Sequence, residues 1–477
     1  MPVSTGKKLL LGLLFLSIAF VLLRLRTVGH LLMWDEAWNI LSLRAYINDA
    51  QGDPFYWYYR FHPPLYMFFA ELLLPFRHGF DIRAELLSLF FSYCAFVVTY
   101  LLSARIGGWK LAWLTGIFLC FMPASTGYDT WIKRDGLAAA LGYLAVFFVY
   151  RKKYFWCAAA LSLSLLSKES GFFFLIAAVI LILASDEEKK IRSLLFICAV
   201  IFAAVSWWYI PLSRLTKNLS DFYFSGKIYG AMWSASPFYY LKKMIPDLGV
   251  PMLFFFSAGF LYAFFLIIKK KQKKWLIPLS VLVPVYLIIS TLFSTKTPWL
   301  SFSAGPASAI IAGGGALFLI KKAEKIRALA VLVPVLLLLH VYTGISFSYS
   351  GYHKRTYPNG WPGADSSRSL AYFLNDNMKK DASLMIAPFA YWKMPVCPVF
   401  LFYWEARPVT LIKGDEKAEE ILGYIKNKGI SWFVIPDSPD PEYNFHILAD
   451  EITKLSGTAP RKAGWSLIWN FEEQQAS

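Results

Sequence analysis

The chain has 477 residues, 57% hydrophobic and 18% aromatic, above the roughly 45–50% apolar usage of soluble domains. Lys and Arg outnumber Asp and Glu by 48 to 31, a formal charge of +17. The basic residues fall in short clusters between apolar runs, which is a topology signal and argues against nucleic acid as a partner. Five cysteines form no CxxC pair or metal spacing. Cys94, Cys120, Cys157 and Cys198 lie in or near apolar runs and only Cys397 in the polar tail, so no disulfide framework is expected.

In chain order, Lys7-Lys8 precede an apolar run from Leu9 to Leu23 with no small-residue cleavage site after it, which reads as a retained signal anchor. Apolar periodicity then predicts spanning helices near 8–28, 85–104, 110–123, 136–150, 154–167, 171–185, 193–212, 249–268, 275–293, 299–320 and 327–346, about eleven in all. The positive-inside rule assigns Lys7-Lys8, Arg105 with Lys110, Arg151 to Lys153, Lys189 to Arg192, Lys269 to Lys274 and Lys321 to Arg327 to the cytoplasm. The complementary loops, 29–84, 124–135, around 168, 213–248 and around 296, then face outward. This alternation holds only if the piece 64–76 does not cross. It is short, opens on Pro63-Pro64, and reads as a half-inserted or interfacial helix. Arg24 and Arg26 fall at the outer end of the first helix, where they are expected to snorkel or to meet an anionic lipid.

From about residue 347 the pattern changes. Helices are expected over 366–378, 416–428 and 446–455, and strands over 383–389, 430–436 and 464–471. The expected architecture is therefore a polytopic α-helical membrane domain, 1–346, followed by a small extracytoplasmic α/β domain, 347–477.

Charges beside a bilayer are functional candidates, and the outer loops hold several. Asp35-Glu36 opens an amphipathic stretch to about Asn48. Asp35 suits a helix N-cap there, and equally a general base held at the membrane surface. His62-Pro63-Pro64-Leu65 starts the next helix, after an aromatic run from Phe55 to Tyr59 that suits either an interfacial belt or stacking on a sugar. The turn Asp129 to Asp135 carries both signs of charge. It reads either as self-neutralising, or as Asp135 facing Asp35 with Arg134 or Lys133 aimed at an anion. Ser167-Lys168-Glu169-Ser170-Gly171 leaves little room for a solvated loop, which favours a phosphate contact by Lys168. Lys296, ahead of Pro298, repeats that logic at a helix start.

These pieces together resemble the GT-C membrane glycosyltransferases, in the branch of the protein O-mannosyltransferases and lipid A aminoarabinose transferases. The residues that carry the resemblance are Asp35-Glu36, His62 to Leu65, Arg83 near the start of the following helix, and Asp135 in Arg134-Asp135-Gly136-Leu137. The Lys168 turn and the run Thr295 to Leu300 complete the set. It covers roughly residues 1–320. The resemblance implies inverting transfer of a sugar from a polyprenyl-phosphate carrier to an acceptor on the outer face of the cell membrane. Asp35 would be the base. Lys168, Arg134 and Lys296 would stabilise the departing phosphate, and Glu36 and Asp135 would orient the acceptor or hold a metal. Related enzymes include some that bind a divalent cation. His62, Asp135 and Glu169 are the residues that would take part here, although no ligand spacing demands it. A lipid, a glycan or a protein hydroxyl would serve as acceptor. The rival classes are a transporter or flippase, which should show paired repeats and mid-helix breaks, and a lipid-binding scaffold. No repeat is present, and the unusual charges gather at helix ends.

Overall fold

The computed structural model describes residues 4–28, 37, 39–42, 63–73, 80–215, 238–291, 302–350, 364–379, 382–387, 409–411, 417–435, 445–463 and 466–471. The chain divides into two compact units, residues 1–29 with 58–356 and residues 30–57 with 357–477.

The first unit is helical: α1 Thr5–Leu25, α2 Leu65–Glu71, α3 Phe80–Phe121, α4 Pro123–Tyr128, α5 Asp135–Tyr150, α6 Tyr154–Ser167, α7 Gly171–Ala184, α8 Lys190–Leu215, α9 Tyr239–Leu248, α10 Val250–Ile268, α11 Leu276–Thr291, α12 Gly305–Ala323 and α13 Arg327–Ser350. Seven helices among the described residues are long and apolar enough to cross a membrane, and α5, α6 and α7 are shorter apolar helices. Leu10, Phe15, Val331 and Leu338 stand more than half exposed along α1 and α13, which suits a lipid solvent. Each of the eleven stretches predicted to span is mainly helical over its described residues. Helix α2, at seven residues, is about 10 Å long and too short to cross, in line with the reading of 64–76.

Helix α3 is 42 residues long with a break at Gly108, where φ is 76° and ψ −171°, a conformation essentially confined to glycine. The two halves fold back on each other against α1. Tyr100 Oη donates to Leu9 O over 3.0 Å and Trp113 Nε1 to Lys8 O over 3.1 Å. In a straight helix those two side chains would stand about 20 Å apart. Further along α1, Tyr93 Oη donates to Ser17 Oγ and Cys120 Sγ to Leu16 O, so residue numbers fall in one half of α3 and rise in the other. The pair is therefore an antiparallel hairpin turned at Gly108. Gly12 on α1 permits the approach, since a Cβ there would meet Trp113 Nε1 at 2.1 Å.

Helix α12 is the buried axis, with every residue from Gly305 to Ala316 inside. It crosses α10 at backbone contact. A Cβ on Gly259 would lie 1.9 Å from Ile311 O, and one on Gly315 would lie 2.0 Å from Phe255 O. Close approach through small residues is the packing mode expected where lipid supplies no hydrophobic drive between helices. On the other face of α12, Trp275 lies against Gly314.

The second unit contains α14 Ala364–Asn377, β1 Leu384–Ile386, β2 Val409–Leu411, α15 Ala418–Lys428, β3 Trp432–Ile435, α16 Phe445–Ser456, β4 Arg461–Ala463 and β5 Ser466–Asn470. The strand order is β2-β1-β3-β5-β4. Strand β1 pairs in parallel with β2 and β3, and β5 runs antiparallel to β3 and β4. Ile421, Ile425, Phe433, Ile452 and Trp469 form the core between sheet and helices. Helix α15 stops at Gly429, which takes the left-handed φ of 64° that a C-terminal glycine supplies. The three predicted helices and three predicted strands are all present. Strands β2 and β4 were not read from the sequence: β4, Arg461-Lys462-Ala463, carries no apolar run, and β2 is only Val409-Thr410-Leu411. Of the predicted interfacial helix 36–48, Ala37 and residues 39–42 are described and helical.

Candidate active site at one end of the helical unit

The site end is set by the short segment between the α3 hairpin and α5. Met122 is extended (ψ 121°) and Pro123 follows it. Proline has no N–H, so the carbonyl of Leu119 loses its helical donor, and the turn at Met122 takes the helical donor from Cys120 as well. Arg24 supplies both: Nη2 donates to Leu119 O over 3.0 Å and Nη1 to Cys120 O over 2.7 Å. The same guanidinium donates to Asp129 Oδ2 at 2.7 Å and Ser125 Oγ at 2.8 Å, and stacks 3.8 Å from the Phe20 ring centroid. Arg24 is fully buried. The expectation that Arg24 snorkels or meets a lipid is thus corrected: a planar five-donor fork matched to two orphaned carbonyls and a carboxylate holds it inside. Arg26 is exposed.

Asp129 is pinned from its other side as well. Ser125 Oγ donates to its carboxylate over 2.5 Å and Ser92 Oγ, on α3, donates to its carbonyl over 3.2 Å. The loop that follows is therefore held at both edges. Trp131 packs edge-on against Tyr128, with ring centroids 4.6 Å apart, and Lys133 Nζ sits 4.4 Å from the Trp131 centroid. Lys133, Arg134 and Asp135 are all buried.

Asp135 opens α5, where the helix N-terminus favours a carboxylate. Lys168 Nζ donates to both its oxygens, at 2.7 and 2.6 Å. Lys168 reaches it because the three-residue link between α6 and α7 opens on Lys168 itself, in extended conformation (φ −161°, ψ 150°). Gly171 keeps that link tight, since a Cβ there would lie 2.8 Å from Leu165 N. Beside Lys168, both carboxylate oxygens of Glu169 are buried. Ser88, Ser92, Tyr128, Trp131, Lys133 and Asp135 line one narrow cleft, closed by Phe302 just before α12. Tyr143 fixes that last edge, donating to Ser303 O and accepting from Ala307 N.

Of the predicted site residues, Arg134, Asp135, Lys168 and Glu169 meet at this end. Arg83 lies in the first turns of α3, the helix that carries Ser88 and Ser92 to the cleft, and is partly exposed. Helix α2 is bound to the same stretch, with Tyr66 Oη 2.8 Å from Ser88 Oγ. Asp35, Glu36, His62 and Lys296 lie outside the described residues. Of the loops predicted to share the outer side, 124–135, the turn around 168 and the described C-terminal part of 213–248 gather at this end, as Tyr128, Lys168 and Lys243 show. The turns at 151–153, 185–190 and 269–274 gather at the opposite end.

A third ion pair at this end, Lys243–Asp247, was not expected from the sequence. Residues 239–248 lie in a stretch taken as loop and form α9, on which Lys243 Nζ donates to Asp247 Oδ1 over 2.6 Å, both side chains under a tenth exposed. Lys243 also lies 5.8 Å from the Tyr128 ring centroid. The spacing of four between Lys243 and Asp247, inside an amphipathic ten-residue window, was the available signal. Ser88, Ser92, Arg24 and Asp129 were also not read as site residues. Among the described residues no three His, Cys, Asp or Glu side chains converge on one point. Asp135 is already closed by an ammonium, which is not the donor set of a metal centre.

No family model matches this chain, and no curated protein matches it in sequence. Solved structures do. ArnT from Cupriavidus metallidurans in the apo state is 16% identical, with a TM-score of 0.63 over 96% of this chain and 97% of that one. The same protein bound to undecaprenyl phosphate gives a TM-score of 0.65 at the same identity and coverage. An oligosaccharyltransferase from Archaeoglobus fulgidus in the apo form is 12% identical, with a TM-score of 0.55 over 89% of this chain and 69% of that one.

Proposed function

This chain has the GT-C glycosyltransferase fold, and from that premise we propose that it is an inverting transferase taking a sugar from a polyprenyl-phosphate carrier. The observation that carries the proposal is the near end-to-end likeness to a protein solved with undecaprenyl phosphate, combined with a buried ionic cluster at one end of the helices. The acceptor would be a hydroxyl of a lipid, glycan or protein. The protein would sit in the inner membrane with its N-terminus in the cytoplasm and with the site end and the C-terminal α/β domain outside, as the lysine-rich turns at the opposite end favour.

In this reading Asp35 takes the proton of the attacking hydroxyl as it reaches the anomeric carbon. The C–O bond to the carrier phosphate breaks on the opposite face, so configuration inverts. The leaving phosphate needs stabilisation of charge more than protonation. Lys168 would supply it, with Arg134, Lys296 and Arg83 contributing. Lys168 is held by Asp135 at 2.6 Å. A phosphate oxygen would replace one of the two carboxylate contacts, and the other would keep the ammonium aimed. Glu36, Glu169 and His62 would hold the acceptor.

The test is mass spectrometry of Asp35→Asn protein purified gently from its own membranes, beside a transfer assay with the lipid it retains. A polyprenyl phosphate bearing one sugar, held by the variant but not turned over, supports the proposal. Repeated recovery of lipids lacking phosphate and sugar overturns it. Transfer by the variant at the wild-type rate removes Asp35 as the base.

A further inference from the structure

At the end of the first unit opposite Asp135, the helices leave a cavity of ≈ 240 Å³, far above the roughly 15 Å³ that one water needs. It opens between the last turn of α5, the last turn of α7, and the 3-10 turn Lys273–Trp275 that leads into α11. Its walls are mostly apolar, from Val149, Leu181, Ile182 and Ile277, and its lip carries Lys152, Lys273 and Lys274 against one carboxylate, Asp186. A water-soluble anion has no use for those walls, and a plain hydrocarbon has no use for that lip.

The charges are available for a ligand. Lys273 pairs with Asp186, and Lys152 lies 3.4 Å from Glu187. Both lysines are more than half exposed, so these pairs exchange readily for another anion. Lys274 makes no ion pair among the described residues. The α7 C-terminus, whose carbonyls would repel an anion, is capped by Lys190 Nζ at 2.9 Å from Leu183 O. The three turns at this end, 151–153, 185–190 and 269–274, hold ten basic residues against three acidic ones.

We propose that this cavity binds an anionic glycerophospholipid of the surrounding leaflet, its phosphate at Lys152, Lys273 and Lys274 and the top of an acyl chain along Leu181 and Ile277. The site stands apart from the transfer chemistry and needs only the membrane placement of the helices. Its role is to bind α5, α7 and α11 together where their ends meet the headgroup layer.

The experiment is a lipid titration of the delipidated full chain in detergent, followed by native mass spectrometry. Phosphatidylglycerol should be retained at about tenfold lower concentration than phosphatidylcholine, from the summed attraction of the three ammonium groups. Two variants separate a site from diffuse attraction. Leu181→Trp fills the cavity and leaves every charge, and should abolish the preference. The triple variant Lys152→Glu, Lys273→Glu, Lys274→Glu leaves the cavity and should do the same. Lys321→Glu with Lys322→Glu, in the last turn of α12, should change nothing. Equal retention of the two lipids, a preference that survives in folded Leu181→Trp, or displacement of the lipid by millimolar inorganic phosphate alone would overturn the proposal.

Discussion

Arg24 Nε donates to Asp129 Oδ2 over 2.7 Å, with the two side chains 0% and 3% exposed. The pair joins the end of the first helix to the loop that carries Lys133, Arg134 and Asp135, 105 residues later in the chain. Arg24 also closes the two carbonyls that Pro123 and the turn at Met122 leave open. Removing it therefore strands a buried carboxylate and two acceptors at once.

Arg24→Met should cost about 3–5 kcal/mol, the usual loss when one partner of a buried ion pair is deleted. Arg24→Met combined with Asp129→Leu should recover part of that loss, because no charge is then left unpaired. Thermal unfolding in detergent, read for both variants against the parent, checks the order. A double variant no more stable than the single one would show that the carbonyl contacts, and not Asp129, dominate the role of Arg24.

The Lys168–Asp135 pair separates structure from chemistry. Exchanging the two residues, Asp135→Lys with Lys168→Asp, keeps a salt bridge in the same place but moves the cation to the helix start. The exchanged protein should stay folded, yet its kcat should fall by roughly 10²–10³, the loss expected when a group that stabilises developing charge is displaced. Lys168→Arg should keep more activity than Lys168→Met. Steady-state kinetics with the native donor, run beside a melting curve, decides the matter. Full activity in the exchanged protein would remove Lys168 from the phosphate.

Gly108 offers a test free of packing effects, since a Cβ there would meet nothing within 4 Å. With φ at 76° and ψ near 180°, Gly108→Ala should destabilise by about 1–3 kcal/mol through backbone strain alone. If the alanine variant melts with the parent, the turn relaxes without cost and the hairpin does not depend on it.

Gly315→Ala tests the opposite case. Its Cβ would press to 2.0 Å from the Phe255 carbonyl, backbone against backbone, where no side chain can give way. Separation of α10 from α12 should cost at least about 1–3 kcal/mol. Gly423→Ala, which meets nothing on the exposed face of α15, should be neutral or slightly stabilising. Melting temperatures of the two variants, measured together, provide the comparison.

The amino-acid sequence by itself determined where the helices lie, which turns share an end of the helical unit, and that an α/β unit follows. Those features rest on local apolar periodicity and on charge clusters, both readable in a window of twenty residues. It also pointed to Asp135 and Lys168 as residues of one site, through charge at helix ends with no loop to solvate it. Only the tertiary structure decided that these two close on each other. It likewise decided that Arg24 turns inward to Asp129, that Lys243 and Asp247 form a buried pair on a helix, and that α3 folds back at Gly108. Each depends on contacts between residues far apart in the chain, or on a backbone angle that glycine permits without announcing. A lone arginine at the end of an apolar run looks the same in sequence whether it meets headgroups or orphaned carbonyls. What separates the two is the broken helix of residues 119–123 packed beside it, and only the folded chain brings that within reach.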